Sequence, residues 1–318
     1  MPKLNPAAHA ALLLSVAALA CAESTAPRAP STLPVVRRVV VVSVDGLRAD
    51  ALSRMPMVDE LRVHAAWTDS MRTVVPSLTV PGHVSMFTGR DATKLGITDN
   101  TLDASDGLAL ALNGATSMFQ WTKSAGGTSA ALVGTSILPA SDVEQAKTFF
   151  GIDEVVTVDV DLAAIREQAV ALVNRASPPM LTFVHIPTVD FAGHDHGWLA
   201  GDGSATLGAE YTGATADADA VIGDLIAALR PAVERGEAAL IVTADHGGGH
   251  GDGCVADVPA IREHCTAHPG DVTIPFVLWA RDVRMGRVPG RPTIMQVAPT
   301  VARLLKLTAP RAVPAPVL

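Results

Sequence analysis

Val35-Val-Arg-Arg-Val-Val-Val-Val-Ser-Val44, followed by Asp45-Gly46, is the stretch on which the reading of the fold turns. A run of β-branched apolar residues without alternation is the pattern of a strand buried on both faces, as in a parallel sheet. Four further segments share it: Ser129–Val133, Met180–Ile186, Ala238–Thr243 and Ile274–Trp279. Between them lie helical patterns at about Met57–Ala66, Ser117–Ser124, Leu162–Arg175, Ala209–Leu229 and Ile294–Leu305. Alternating strands and helices of these lengths predict an α/β fold, with a mostly parallel central sheet and helices on both faces. Ligands in such folds bind beyond the carboxyl ends of the strands. Asp45 follows the first strand, Asp190 follows Met180–Ile186, and Asp245-His246 follow Ala238–Thr243. Three strands therefore deliver carboxylates and an imidazole to one edge of the sheet. Clustered carboxylates repel and raise one another's pKa, so bound metal is the economical explanation.

Local spacing sharpens this reading. Asp190 and His194 stand as D-x-x-x-H, which puts both side chains on one face of a helical turn; the structural alternative is an exposed turn with Asp as a cap. Asp245-His246 directly follows a buried strand and precedes Gly247-Gly-Gly249, which permit an irregular backbone around a bound ion. In Pro76-Ser-Leu-Thr-Val-Pro-Gly-His83, Pro81 suits the first turn of a helix, placing Thr79 at its N-terminus. Free N–H groups and the helix dipole favour an anionic phosphate there. A threonine hydroxyl attacks phosphorus only when a base or metal helps remove its proton, and on its own Thr79 reads better as a plain helix cap.

Taken in order, VSVDG, SLTVPGHVSMFTG, GITDN, DFAGH and TADHG resemble the nucleotide pyrophosphatase/phosphodiesterase branch of the alkaline phosphatase superfamily. The resemblance runs from about Val35 to Leu307 and includes the closing APTVARLL helix. It implies two Zn2+ ions, with other divalent metals as substitutes. Asp45, Thr79, Asp245 and His246 would hold one; Asp190, His194 and a later histidine would hold the other. His264, His268 and His250 are all candidates for that last place, and the family's spacing to an Ile-Pro-aromatic strand, here Ile274-Pro-Phe276, favours His264. Thr79 would attack in line and form a phospho-threonine that water hydrolyses. Asn100 matches the asparagine that binds a phosphate oxygen, and the Val80 amide would be a second donor. Two metals about 4 Å apart can activate the attacking oxygen and stabilise the leaving one. His83 is expected to support the site from behind, whereas His64 and His185 read as ordinary helix and strand residues.

Departures from the family pattern bear on the substrate. Superfamily monoesterases of the Pro-Gly-His type carry a Lys-x-Arg pair before an Ile-Leu-Pro segment. Here Gly134-Thr-Ser-Ile-Leu-Pro139 lacks that pair, which favours diesters over dianionic monoesters. A phosphomonoesterase or a phosphoryl-group transferase of the same superfamily is the alternative. The sulfatase relatives' C/S-x-P-x-R context is absent. A catalytically dead metal-binding protein would be marked by loss of Thr79 or of a ligand, and those positions are filled.

Composition sets the outer limits. The 318 residues carry 24 basic and 32 acidic side chains, net −8, with no Lys or Arg run, so no nucleic-acid-binding surface is expected; the family resemblance implies a small phosphate ester as partner. Residues 1–22 read as a signal peptide, with an apolar Ala10–Ala20 stretch too short to span a bilayer. Ala18-Leu-Ala-Cys21 resembles a lipobox, which implies a lipid anchor at Cys21; cleavage after Ala20-Cys-Ala22 is the alternative, and either implies export to the periplasm or its membrane face. Residues 23–34, rich in Pro, Ser and Thr, read as a flexible tether to a catalytic domain at 35–318. In an exported chain, Cys254 and Cys265 are expected to form a disulfide. The sequence sets no oligomeric state.

Overall fold

The computed structural model describes residues 33–102, 104–134 and 143–318. The signal peptide and Cys21, nearly all of the tether, and residues 135–139 of the Ile-Leu-Pro segment lie outside the described residues. The last tether position but one, Leu33, is buried in the core.

Among the described residues, eight strands form one sheet: β1 (Arg38–Val44), β2 (Ala66–Arg72), β3 (Ser129–Gly134), β4 (Glu154–Val158), β5 (Leu181–Ile186), β6 (Ala238–Thr243), β7 (Thr273–Ala280) and β8 (Gly286–Arg287). Their order is β4-β3-β5-β1-β6-β7-β2-β8. β4, β3, β5, β1 and β6 run parallel, whereas β7 is antiparallel to both of its neighbours. The sheet is thus mostly parallel and mixed. β1 lies at its centre, with Ser43 level with His185 of β5 and Thr243 of β6. Valines 39–42 are 0–1% exposed, as an uninterrupted apolar run requires.

Among the described residues, ten α-helices accompany the strands: α1 (Pro56–Arg62), α2 (Thr79–Thr88), α3 (Ala104–Leu112), α4 (Met118–Ser124), α5 (Val143–Phe150), α6 (Leu162–Val173), α7 (Thr188–His196), α8 (Ala209–Glu234), α9 (Pro269–Val272) and α10 (Val297–Leu304). Their ends follow local chemistry. Ser117 and Gln120 form a capping box on α4, and the Asp161 side chain caps α6. Asp219 of α8 accepts the Met57 and Val58 amides at 2.8 and 3.0 Å, holding the start of α1. The first helix ends at Arg62, not Ala66, because Ala66 opens strand β2. That strand carries Thr, Asp, Ser and Arg, which hid it from an apolar pattern.

Helix α2 is fixed by aromatic packing. Phe87 meets Phe183 of β5, Phe119 of α4 and Phe150 of α5 edge to face, at 4.8, 5.1 and 5.3 Å between ring centres. Every residue of α2 is buried. Its N-terminus is thereby held over the carboxyl ends of β1 and β6, where Asp45 and Asp245 emerge.

Candidate metal centre

Three strand ends and one helix start converge. Asp45 follows β1, Asp245-His246 follow β6, and β5 leads through Pro187 into α7, which carries Asp190 and His194 on one face. Thr79 is the first residue of α2. Its helix is capped by Leu78 without a side-chain hydrogen bond. The Thr79 hydroxyl instead lies 3.0 Å from His246 Nε2. Its role as a helix cap is therefore excluded by geometry.

Around His246 Nε2 lie Asp45 Oδ1 at 3.1 Å and Asp245 Oδ2 at 3.2 Å, as well as the Thr79 oxygen. A second group adjoins it. His194 Nε2 is 3.2 Å from His264 Nε2 and 3.5 Å from Asp190 Oδ2, and His264 Nε2 is 3.7 Å from Asp190 Oδ1. The groups touch through His246 Nε2 and Asp190 Oδ1, 4.0 Å apart. His268 and His250 stand apart from both, stacked on each other at 3.5 Å.

The imidazole tautomers follow from what each ring's other nitrogen meets. His246 Nδ1 faces the Gly247 carbonyl at 2.7 Å, His264 Nδ1 the Ser77 carbonyl at 2.6 Å, and His194 Nδ1 the Arg262 carbonyl at 2.8 Å. A carbonyl only accepts, so each Nδ1 carries the hydrogen, and each ring when neutral turns an Nε2 lone pair inward. Two such lone pairs at 3.2 Å, those of His194 and His264, have no hydrogen to share. Asp45 Oδ1, Asp190 Oδ1 and Asp245 Oδ2 are buried with no hydrogen-bond partner. Zinc holds nitrogen and oxygen donors at about 2.0–2.2 Å, so tetrahedral neighbours are about 3.3 Å apart. The donor set fits divalent cations in type, spacing and orientation.

The electrostatics agree. Burial, and after it the charge of Asp45, raises the Asp190 carboxyl to about 7. The same causes push Asp245 well above the usual carboxylate range. At Asp45, burial also acts upward, but the hydrogen bond from His185 and the neighbouring His246 outweigh it and hold the carboxyl well below its ordinary value. Burial opposes charging His246, yet Asp245, Asp45 and Asp190 together raise it to about 10. His264 is pushed well down, first by burial and then by His246. Three carboxylates meeting in one place cannot all ionise side by side, and a bound cation would relieve that repulsion.

Several supporting residues escape a reading by local pattern. His185, expected as an ordinary strand residue, donates from Nε2 to Asp45 Oδ2 at 3.1 Å. The polar Ser43 within a valine run was the available signal: it shares a strand face with Asp45 and sits level with His185. His83 donates from Nδ1 to the Thr79 carbonyl at 2.9 Å, and Ser43 Oγ donates to His83 Nε2 at 3.0 Å. Burial, followed by the charge of His185, lowers His83 to about 3, which keeps it neutral. His64 is exposed just beyond α1. The Val80 amide is not a free donor: it donates to Asn100 Oδ1 at 3.1 Å, because Leu78 leaves the helix start without a side-chain cap. Asn100 is exposed, and this bond turns its amide nitrogen away from Val80.

Trp198 forms the floor beneath the second group. Its ring stands 5.0 Å from that of His194 and 5.6 Å from that of His264, and its Nε1 donates to the Gly46 carbonyl at 2.8 Å. Gly46 adopts φ +68°, and a Cβ there would fall 2.9 Å from Asp190 Oδ1, so the turn from β1 needs glycine. The Cys254–Cys265 disulfide forms, with Cα atoms 6.0 Å apart, and fastens the loop next to His264. Among the described residues, no helix is long and apolar enough to cross a membrane.

The sequence profile described as type I phosphodiesterase / nucleotide pyrophosphatase matches residues 39–300. Among solved structures, murine ectonucleotide pyrophosphatase / phosphodiesterase 5 is similar over 86% of this chain and 96% of its own, at 17% identity and a TM-score of 0.63. An inactive variant of that protein in complex with AMP aligns equally well. The lipoteichoic acid synthase LtaP from Listeria monocytogenes is similar over 86% of this chain and 72% of its own, at 14% identity and a TM-score of 0.62. The C-terminal periplasmic domain of EcEptC from Escherichia coli is similar over 88% and 87%, at 16% identity and a TM-score of 0.61. Likeness at these identities shows a shared fold. No curated protein matches the sequence.

Proposed function

Because this chain belongs to the type I phosphodiesterase / nucleotide pyrophosphatase family, and so is a phosphoric ester hydrolase, we propose that it is a two-zinc phosphodiesterase acting through Thr79. Asp45, Thr79, Asp245 and His246 are the ligands of one ion; Asp190, His194 and His264 are those of the other. The observation that carries the reading is the inward turn of three imidazole Nε2 atoms, two of them 3.2 Å apart, onto buried carboxylate oxygens without partners. When bound, the two ions supply Lewis-acid charge that favours the Thr79 alkoxide and offsets the charge of the phosphoryl group.

The remaining roles belong to the chain. Thr79 gives up its hydroxyl proton to solvent and its Oγ1 attacks phosphorus in line with the ester oxygen; the Thr79–phosphorus bond forms as the phosphorus–ester bond breaks, and the alcohol leaves with a proton from water. Water then attacks the phospho-threonine, releasing the phosphate product and restoring the hydroxyl. Asn100 Nδ2 donates to a phosphoryl oxygen, its orientation set by the Val80 amide bond. His83 holds the first turn of α2 through the Thr79 carbonyl, which keeps the nucleophile in line. The absence of a Lys-x-Arg pair before Ile137-Leu-Pro139 supports diesters, including nucleotide esters, over dianionic monoesters. We further propose export by the signal at residues 1–22, with Cys21 as a lipid anchor and residues 35–318 as the catalytic domain.

The test is zinc content together with hydrolysis of bis(p-nitrophenyl) phosphate and p-nitrophenyl phosphate by residues 23–318. Zinc near two per chain and faster cleavage of the diester are expected. Thr79→Ala is expected to lower turnover by about 10³-fold or more, as removal of a nucleophile does. Zinc-free protein, or turnover indifferent to Thr79, sinks the reading.

A further inference from the structure

Asp271 belongs to neither ligand group, yet it binds both loops that carry ligand histidines. It is fully buried, in α9 at the entry to β7. Its carbonyl accepts the Gly247 amide at 2.8 Å, and its Oδ1 accepts the His250 amide at 3.2 Å, which secures the loop after His246. Its Oδ2 accepts the Thr266 hydroxyl at 2.6 Å and the Thr266 amide at 3.3 Å, which secures the loop after His264. Thr266 passes the connection on: its carbonyl accepts from Ser77 Oγ at 2.9 Å, and the Ser77 carbonyl is the partner of His264 Nδ1. One carboxylate thus joins His246, His264 and the lead-in to Thr79, and its own backbone is anchored where β7 enters the sheet.

We propose that Asp271 is a positioning residue that holds the two ligand loops in register and so sets the metal affinity of the centre without touching metal or substrate. The inference rests on the two-metal reading above. Groups behind metal ligands fix ring orientation, and their loss costs about 10- to 100-fold in metal affinity. Replacing the carboxylate by an amide sets an NH2 group against the donors it now accepts from. The neutral change Thr266→Val removes one of these bonds without altering charge. Asp219 supplies the control: it too is a buried carboxylate accepting two backbone amides, but these belong to α1.

The experiment titrates metal-stripped full chain with Co2+ and follows the ligand-field absorption bands, alongside thermal melts, for wild type, Asp271→Asn, Thr266→Val and Asp219→Asn. Wild type is expected to take up two Co2+. Asp271→Asn should bind them about 10- to 100-fold more weakly, with altered bands. Thr266→Val should shift affinity the same way by less, and Asp219→Asn should lower the melting temperature while keeping wild-type affinity and bands. Wild-type Co2+ binding by Asp271→Asn overturns the inference alone, as does an equal loss in Asp219→Asn, which would make affinity a mere reflection of stability. Wild type that takes up no Co2+ overturns the metal reading and this inference together.

Discussion

Asp190 keeps its proton to about pH 7 in the metal-free protein, because burial and the nearby Asp45 charge oppose ionisation. An unfolded chain releases that proton near pH 4. Folding therefore takes up a proton between these values, and this residue's contribution to stability falls as pH rises through that window. A divalent cation reverses the balance, since it binds the carboxylate and displaces the proton. Zinc binding is accordingly expected to release more protons at pH 6 than at pH 8, by about one per chain. Calorimetric titration in buffers of different ionisation enthalpy measures this directly. Equal release at the two pH values would separate Asp190 from the metal.

At the scale of elements, the centre depends on how closely a helix approaches a strand end. Gly82 in the first turn of α2 leaves no room for a side chain: a Cβ would lie 2.8 Å from the Asp245 carbonyl oxygen. The sequence Thr79-Val-Pro-Gly-His83 thus combines the proposed nucleophile, a proline compatible with the first turn, a contact without a side chain and a histidine bound back to the Thr79 carbonyl. Gly82→Ala is expected to push α2 outward and displace Thr79 from its position above His246. Misplacement by a fraction of an ångström to 1 Å costs on the order of 10- to 100-fold in rate. Steady-state kinetics on the diester should show the loss in kcat, with zinc binding through Asp190, His194 and His264 retained. An unaltered kcat would mean that the approach of α2 to β6 is not what aligns the nucleophile.

For the molecule as a whole, the centre is a set of like charges drawn together by folding. The apolar cluster running from Leu33 to Leu305 supplies the burial that drives this, and buried carboxylates oppose it. Metal that binds only the folded chain therefore stabilises all of it by mass action, by about 2.7 kcal/mol per site when free metal is 100 times Kd. The melting temperature is expected to rise with added zinc and fall with chelator, and to rise less when Asp190→Asn removes a ligand. A melt insensitive to zinc would count against a centre formed from these residues.

Local pattern was enough for the alternation of buried strands with helices, and for Asp45, Asp190, Asp245 and His246 at one sheet edge. Each of these signals lies within a few residues: an apolar run, the polar group that ends it, and the glycines beyond. Thr79 became meaningful only in the company of the other motifs, because a threonine at a helix start has a structural use of its own. Strand β2 was hidden by its polar residues, and the antiparallel direction of β7 is a property of pairing that no single strand carries. The family spacing favours His264 from sequence, but its nearness to His194, the bond from His185 to Asp45, the Trp198 floor and the junction at Asp271 are visible in tertiary structure alone. His185 and Asp45 are 140 residues apart and Thr79 and His246 are 167 apart, and periodicity carries no information over such distances. The sequence by itself determined which chemical groups reach the edge of the sheet; packing decided which of them meet.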